Sequence, residues 1–141
     1  MTAPAAGLDL DRLDVLALGN MAAHRDWGYA ADYVEGMWRM LQQPEPGDYV
    51  LATGEQHSVR EFVLAAGERL GFDIVFEGAG VQERGIDRKS GRTIVQVEPK
   101  FYRPAEVDRL CGSPAKAEQT FGWKRKVSFP ELVTLMVEAD D

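Results

Sequence analysis

Apolar residues recur at helical spacing in the first third of the chain. Between Ala30 and Leu41 they fall three or four positions apart, which places them on one face of a helix. The members of this face are Ala30, Tyr33, Val34, Met37, Trp38 and Leu41. The pattern predicts a helix that begins at Ala30 and packs this face into a core.

Two Ser-x-x-Glu sequences mark the starts of further helices. In each, a serine stands at the cap and a glutamate follows three residues later, as in a capping box. Ser58 and Glu61 begin one helix, and Gly71 is its expected left-handed stop. Ser128 and Glu131 begin the last helix. The residues predicted to face inward are Val59, Phe62, Val63, Ala66 and Leu70 in the first, and Phe129, Leu132, Val133 and Met136 in the second.

Short runs of β-branched and aromatic residues predict the strands. Residues Asp48–Thr53 and Phe72–Glu77 each read as a strand, and Leu10–Leu18 reads as a short helix running into a strand. The segment Gly78–Glu98 is less regular and turns at Ser90-Gly91. It predicts a hairpin or a projecting loop whose charged residues are solvated.

The order of elements indicates the fold class. A short helix from Ser113-Pro114 to about Thr120, stopped by Gly122, precedes the last helix. The chain is therefore predicted to be a small, mixed α/β unit. Its strands are short and few, so they would bury their faces poorly without a larger neighbour. We interpret the chain as a piece of a larger assembly.

Composition narrows the possible partners. The 141 residues are 45% hydrophobic, enough for a core, and the net charge is −7. Such a charge argues against nucleic acid or an anionic membrane as a general partner, although a local basic site for a small anion remains possible. The chain has no apolar run long enough to span a bilayer and no basic start typical of a signal peptide, so the cytoplasm is the expected location.

The cysteine, the histidines and the tryptophans are expected to have structural roles and not catalytic or metal-binding ones. The single cysteine, Cys111, excludes an intrachain disulfide and is expected to be a small packed residue. The two histidines lack the spacing of a metal site, so no metal is expected. The three tryptophans, Trp27, Trp38 and Trp123, are expected to be core rings.

A charged pair precedes the first helix. Arg25 and Asp26 stand just before Trp27 and Gly28. Helix starts carry unpaired N–H groups with partial positive charge, so Arg25 beside one indicates a site for an anion such as a phosphate. The residues alone equally allow a local Arg25–Asp26 salt bridge with Asp26 as a helix cap.

Three stretches in order carry a resemblance to a known family. They are LGNMAAHRDWGYAADYVEGMWRMLQQ, then DYVLATGEQHSVREF, then YRPAEVDRLCGSPAKAEQTFGWK. Together they resemble the GDP-mannose 4,6-dehydratases, which belong to the extended short-chain dehydrogenase/reductase group of nucleotide-sugar enzymes. The resemblance implies that residues 18–141 are a C-terminal nucleotide-sugar-binding domain without the Rossmann half. Residues 1–17 match it poorly.

The resemblance also implies the site residues. Arg25 of the RDWG stretch and Arg103 of the RPxEVD stretch would clamp the nucleotide diphosphate, and Glu106 would bind the ribose hydroxyls. A guanidinium binds phosphate through forked donors, and a carboxylate accepts hydrogen bonds from a diol, so the residue types suit these roles. GDP-mannose or GDP is therefore the expected ligand.

Some of the family's catalytic parts have no counterpart in this sequence. There is no glycine-rich dinucleotide loop and no tyrosine followed four residues later by a lysine. The family's NADP-dependent conversion of GDP-mannose to its 4-keto-6-deoxy product is thus not expected of this chain alone, and no NADP is expected to bind it. We expect a substrate-binding part that needs a Rossmann-domain polypeptide or a dehydratase subunit. The alternative is a non-catalytic nucleotide-sugar-binding or subunit-interaction module.

Overall fold

A computed structural model describes residues 15–103 and 109–140 of the chain. Its main feature is a four-stranded sheet with the spatial order β1-β6-β5-β4. The β1 strand runs parallel to β6, with Leu16 opposite Val95, and the other neighbours are antiparallel. The strands are β1 (Leu16–Leu18), β4 (Ile74–Glu77), β5 (Arg84–Asp87) and β6 (Thr93–Val97). The helix predicted ahead of β1 lies outside the described residues.

Four helices and a small ladder complete the described chain. The ladder is antiparallel and pairs β2 (His24–Arg25) with β3 (His57–Ser58). The helices are α1 (Ala30–Leu41), α2 (Val59–Arg69), α3 (Ala115–Phe121) and α4 (Phe129–Asp140). The prediction of a small, mixed α/β fold is confirmed. None of these helices is long and apolar enough to cross a membrane.

The core lies between the sheet and α2. Its buried members come from both layers and include Met21, Val63, Ile74, Val95 and Val97. The predicted start and stop of α2 are confirmed: Ser58 and Glu61 form the capping box, and Gly71 has φ of 85°. Phe62 of α2 meets Phe129 of α4 edge to face, with ring centroids 6.0 Å apart. The local signals therefore predict the two ends of α2 correctly, and the structure places this helix between the sheet and α4.

The segment Gly78–Glu98 forms a hairpin and belongs to the sheet. Its second strand, β6, lies inside the sheet between β1 and β5, so the segment is not a projecting loop. The interpretation of its charges as solvated is wrong for Glu83 and Asp87, which are both buried. Glu83 accepts a hydrogen bond of 2.7 Å from Arg60 Nε of α2. A buried carboxylate needs such a partner, which the linear pattern did not indicate.

Asp87 fixes the turn of this hairpin. Its side chain accepts hydrogen bonds from the backbone N–H of Asp73 at 2.9 Å and from the Ser90 hydroxyl at 2.7 Å. Burial pushes the pKa of Asp87 upward, but hydrogen bonds from Ser90 and Asp73 outweigh it, and the net pKa is lowered. The charged form is therefore the one that stabilises the turn.

Asp87→Asn is expected to lower the free energy of unfolding at pH 7 by about 1–3 kcal/mol, because it removes an ionised acceptor from buried donors. The folded-state pKa of Asp87 lies below its ordinary value of 3.8. Its contribution is thus complete above that value and is lost as pH falls through the folded-state pKa. Urea denaturation at pH 7 and at pH 3 should show the difference between parent and variant shrinking in acid. A difference that does not change with pH would contradict this role.

Two other predictions about individual elements are wrong. Residues 48–53 do not form a strand, and at their end the backbone N–H of Thr53 donates to the Asp26 carboxylate at 2.9 Å. Met136, expected to face inward on α4, is exposed. The buried face of α4 ends one turn earlier, at Leu132 and Val133.

Helix α1 begins at Ala30 as predicted, but its predicted inner face points outward. The buried residues of this helix are Asp32 and Gly36. Asp32 Oδ2 accepts hydrogen bonds from the backbone N–H groups of Lys126 at 2.8 Å and Val127 at 3.1 Å. A Cβ atom on Gly36 would lie only 2.8 Å from Trp123 Nε1. The Asp32 carboxylate and Gly36 therefore fix the position of α1 on the rest of the fold. Both contact residues that lie about ninety positions later in the sequence.

The apolar face of α1 is left exposed as a consequence. Trp38 is 62% exposed and Leu41 is 82% exposed, so the prediction of Trp38 as a core ring is wrong. Val34 and Met37 are also more than half exposed. We call Val34, Met37, Trp38 and Leu41 the α1 stripe. Tyr33, the remaining large member of the predicted face, turns inward and stacks on Trp123 with centroids 5.9 Å apart.

Candidate functional site

The predicted phosphate ligand Arg25 lies on the β2–β3 ladder. In this ladder Arg25 pairs with His57, and the side chain of Trp27 donates from Nε1 to the His57 carbonyl at 3.1 Å. The guanidinium is half-buried and donates from Nη1 to the carbonyl of His24 at 2.7 Å. The backbone at Arg25 is therefore held by its pairing with His57, and one end of its planar side chain has a fixed direction.

Asp26 joins three separate segments at the floor of the site. Its Oδ1 accepts from the Thr53 backbone N–H at 2.9 Å and from the Thr53 hydroxyl at 2.7 Å. Its Oδ2 accepts from the N–H of Gly54 at 3.1 Å and of Gly112 at 3.4 Å. The interpretation of Asp26 as a helix cap is wrong, since the cap residue of α1 is Tyr29.

Tyr33 occupies the space in front of the first turn of α1. A Cβ atom on Gly28 would overlap the Tyr33 hydroxyl, so the glycine is required for the ring to fold back over the helix start. Burial raises the pKa of Tyr33, and the charges of Asp26 and Asp32 raise it further. The phenol therefore stays protonated near neutral pH. It is suited to donate a hydrogen bond and not to act as a base.

These residues border an open cleft of about 490 Å³. Its polar lining is concentrated in Arg25, Asp26 and Tyr33, and the rest is mostly apolar. The remaining lining residues are Val50, Leu51, Ala52, Leu110, Cys111 and Gly112. Cys111 is exposed here, so the prediction that it packs in a core is wrong. The cleft therefore contains a cation, a phenol, apolar walls and the Asp26 carboxylate, whose oxygens accept hydrogen bonds from Thr53, Gly54 and Gly112. Arg25 is the lining group that can pair with an anionic ligand, and the apolar walls can pack against a flat apolar group.

The pattern of the sequence did not indicate two of the three cleft segments. Residues 50–52 and 110–112 meet because Gly112 lets the chains approach, and a Cβ atom there would lie 2.5 Å from the Ala52 Cβ. A glycine at a close backbone approach was the available signal. It could not be used without knowing which segment lies opposite.

The other two predicted site residues are less fully described. Arg103 is exposed and does not line the cleft, and Glu106 lies in residues 104–108, outside the described part. After this gap the chain returns at Arg109, which forms a parallel bridge with His24 beside Arg25. The backbone positions of Arg103 and Arg109 are six residues apart, so they lie at most about 20 Å from each other. The clamp by Arg25, Arg103 and Glu106 stays a prediction.

The starts of α1, α2 and α4 do not fit the pyrophosphate of a dinucleotide cofactor. A cofactor pyrophosphate is usually held at a free helix start behind a glycine-rich loop. Here Tyr33 covers the start of α1. A glutamate lies at the start of α2 and another at the start of α4. A hydrogen bond from the Ser58 backbone N–H lowers the pKa of Glu61, and one from the Ser128 hydroxyl lowers the pKa of Glu131. These carboxylates are ionised near neutral pH and would repel a phosphate.

The fold has relatives among solved structures. One of them is the dTDP-glucose 4,6-dehydratase of Bacillus anthracis in complex with NAD, with a TM-score of 0.66 and 17% identity. The match covers 89% of this chain and 34% of that one. At this identity the likeness concerns the fold. The chain therefore has the fold of part of a nucleotide-sugar dehydratase, in agreement with the predicted mixed α/β lobe.

Sequence comparisons identify the family. The profile described as GDP-mannose 4,6 dehydratase matches residues 2–136. The GDP-mannose 4,6-dehydratase of Sinorhizobium fredii (strain HH103) is 49% identical over 99% of this chain, and the Homo sapiens GDP-mannose 4,6 dehydratase is 51% identical over 96%. The chain belongs to the GDP-mannose 4,6-dehydratase family, and the resemblance of its three stretches is confirmed.

The match covers a minor part of the relatives. The chain spans 40% of the length of the Sinorhizobium fredii protein and 36% of the human one, and it corresponds to their C-terminal region. The division of the chain at residues 17 and 18 stays a prediction. Strand β1, at Leu16–Leu18, crosses that boundary and is paired with β6.

Proposed function

We propose that the chain is the C-terminal, substrate-binding part of a GDP-mannose 4,6-dehydratase. Its role is to hold GDP-mannose by the diphosphate while the remainder of the enzyme acts on the sugar. Membership of the family over residues 2–136 supports the ligand. The observation that carries the proposal is the side chain of Arg25, which borders the open cleft from a backbone fixed by the β2–β3 ladder.

The chemistry of the cleft agrees with this ligand class. Arg25 supplies a charged, planar donor group, which pairs with phosphate oxygens in a forked geometry. Tyr33 supplies a neutral hydroxyl beside it. Val50 and Leu110 are exposed apolar walls against which a base or sugar ring would pack. In the full proposal Arg103 is the second phosphate ligand and Glu106 binds the ribose hydroxyls.

We propose further that the isolated chain does not dehydrate GDP-mannose. The family's reaction uses NADP, which the full-length enzyme would hold outside the matched part. The tyrosines of this chain have no lysine four positions on, and the pKa of Tyr33 is raised, so that phenol is a poor base near neutral pH. Formation of a 4-keto-6-deoxy sugar by the purified 141-residue chain in a coupled assay would contradict this proposal.

Arg25→Ala is expected to weaken GDP binding to the chain at least about tenfold, because hydrogen bonds to charged groups contribute about 1.5–3 kcal/mol. Isothermal titration calorimetry with GDP measures the affinity, either of the chain alone or, where the parent chain binds only then, of the chain together with the remainder of a dehydratase. Arg88→Ala is the matched control: it removes the same charge from the exposed turn after β5, away from the cleft lining, and should leave the affinity unchanged. Equal effects of the two variants would show that only net charge matters and would overturn the assignment of Arg25.

The affinity of the parent chain separates the two candidate roles. GDP binding without any other polypeptide favours a non-catalytic nucleotide-sugar-binding module as the function of this chain by itself. Binding that appears only after the remainder of a dehydratase is added favours a substrate-binding part. The exposed α1 stripe is the observation that favours association with another polypeptide in either case.

A further inference from the structure

Aromatic rings from four parts of the chain form a closed cluster that includes the β2–β3 ladder. The ring centroids of Trp27 and Phe62 lie 5.1 Å apart, and those of Phe62 and Phe129 lie 6.0 Å apart. His57 stacks on Phe129 with centroids 3.8 Å apart and planes that differ by 7°. The hydrogen bond of 3.1 Å from Trp27 Nε1 to the His57 carbonyl closes the circuit. We call Trp27, His57, Phe62 and Phe129 the ring cluster.

The ring cluster is connected to Arg25 in two ways. Arg25 lies directly opposite His57 in the ladder, and it precedes Trp27 by two residues in the chain. The Arg25 side chain lines the cleft. A shift of His57 would therefore move the backbone from which the guanidinium reaches a ligand. A displacement of about 1 Å is enough to spoil a directional contact.

The flat face of the His57 ring fixes its position. Its Nε2 atom is buried and has no hydrogen-bond partner among the described residues. The Glu55 Oε2 atom lies 3.7 Å from it, which is beyond hydrogen-bond distance. The stack is made instead on Phe129, which is buried and begins α4. Another flat ring of similar size should therefore hold the ladder as well as the imidazole does.

We propose that His57 is a positioning residue for Arg25. Its stack on Phe129 fixes β3 against the start of α4, and β3 in turn fixes the backbone of Arg25 at the cleft. The arginine is then held where its planar donors can meet the phosphates of the ligand. The nature of that ligand rests on the proposed function. The hold of the ring cluster on the ladder does not, so it is measured separately.

His57→Ala is expected to weaken GDP binding by about three- to tenfold, less than the loss of Arg25 itself, because the guanidinium remains but is displaced. His57→Phe keeps the stack and should bind GDP within about twofold of the parent chain. Calorimetry under the conditions used for Arg25→Ala measures both. If His57→Ala does not fold, His57→Leu takes its place, since it keeps most of the volume but not the flat face.

Phe72→Ala is the matched control for a lost ring. Phe72 packs against the core from a place outside the ring cluster and lines a different cavity. Its truncation should lower the melting temperature of the chain and leave the GDP affinity of the folded protein unchanged. A similar loss of affinity in Phe72→Ala and His57→Ala would show that general destabilisation is the cause and would overturn the proposal.

A double-mutant cycle tests whether His57 acts through Arg25. In the Arg25→Ala background, adding His57→Ala should change the GDP affinity by less than about 1.5-fold, because the group that it positions is gone. The same weakening in both backgrounds would overturn the proposal. So would a His57→Phe variant as weak as His57→Ala, since the stack would then not be what matters.

Amide hydrogen exchange measures the hold on the ladder without a ligand. The backbone N–H groups of the ladder residues should exchange faster in His57→Ala than in the parent chain, and at the parental rate in His57→Phe. Unchanged exchange in His57→Ala would overturn the positioning role. A GDP affinity that does not depend on Arg25 would overturn the proposed function instead, and the exchange rates would still decide whether His57 holds the ladder.

Discussion

Trp123→Ala is expected to destabilise the lobe more than other single truncations, by about 3–5 kcal/mol, as for large aromatic residues in cores. The ring is 2% exposed, stacks on Tyr33 and donates a hydrogen bond to the Asp32 carbonyl at 2.8 Å. It also forms the surface against which Gly36 seats α1. A small domain has a total stability of about 5–15 kcal/mol, so much of the variant could be unfolded at room temperature.

Urea denaturation followed by far-ultraviolet circular dichroism measures this loss. Trp123→Phe is the matched control, because it keeps most of the ring volume and removes only the N–H donor. We expect it to lose about 1–2 kcal/mol from the broken hydrogen bond and the smaller ring. A loss below about 1 kcal/mol for Trp123→Ala would mean that the site relaxes to fill the space and that α1 is seated by other contacts.

Asp26→Ala is expected to affect both stability and ligand binding. Its carboxylate accepts four hydrogen bonds from Thr53, Gly54 and Gly112, which connect the three segments of the cleft. Their removal should lower the free energy of unfolding by about 2–4 kcal/mol, since the backbone donors lose an ionised acceptor. GDP affinity should fall as well, because the walls at residues 50–52 and 110–112 are no longer held together.

Two comparisons make this result specific. Asp26→Asn keeps one oxygen that can accept the Thr53 hydrogen bonds, so it should lose roughly half as much stability. Asp48→Ala removes an acidic side chain that is exposed and should change neither property. Thermal melts with and without GDP report both quantities together, because a ligand that binds only the folded state raises its stability. A destabilised Asp26→Ala with the parent's GDP affinity would contradict the role of Asp26 in the cleft.

Local signals predicted the parts of the fold that depend on neighbouring residues. The capping box at Ser58 and Glu61 and the left-handed glycines at Gly71 and Gly122 satisfy backbone groups within a turn of themselves. Their effect does not depend on the rest of the chain, so α2 and α3 end where predicted. The hairpin at Ser90-Gly91 belongs to the same group, with Gly91 at φ of 71°.

The direction of α1 could not be predicted in this way. Periodicity shows that a helix has two different faces, but it does not show which one meets the lobe. Hydrogen bonds to Asp32 from Trp123 and from the N–H groups of Lys126 and Val127, about ninety residues later, determine which face of α1 meets the lobe. An apolar face was assigned to the core because that is the usual outcome for a complete domain. This lobe is a minor part of its relatives' length, and the assumption did not hold.

Only part of the cleft was predicted, because its walls come from segments that are distant in sequence. Arg25 was predicted as an anion ligand from its place before a helix start, and the resemblance of the RDWG stretch supported it, whereas Tyr33 was assigned to the helix face alone. The walls come from residues 50–52, which were predicted to be part of a strand, and from residues 110–112, for which no element was predicted. The carboxylate of Asp26 and the close approach at Gly112 connect them, and both are contacts between distant segments.

The parallel pairing of β1 with β6 has a consequence for how the chain assembles. Strands β4, β5 and β6 follow one another in an antiparallel series and form contacts that are near in sequence. Leu16 must instead find Val95, 79 residues away, and such a pairing closes late because a long loop has to be ordered first. Until then the free side of β6, with Val95 and Val97, is an open edge at which another molecule could add a strand. The three residues of β1 therefore cover an edge of β6 that would otherwise remain open.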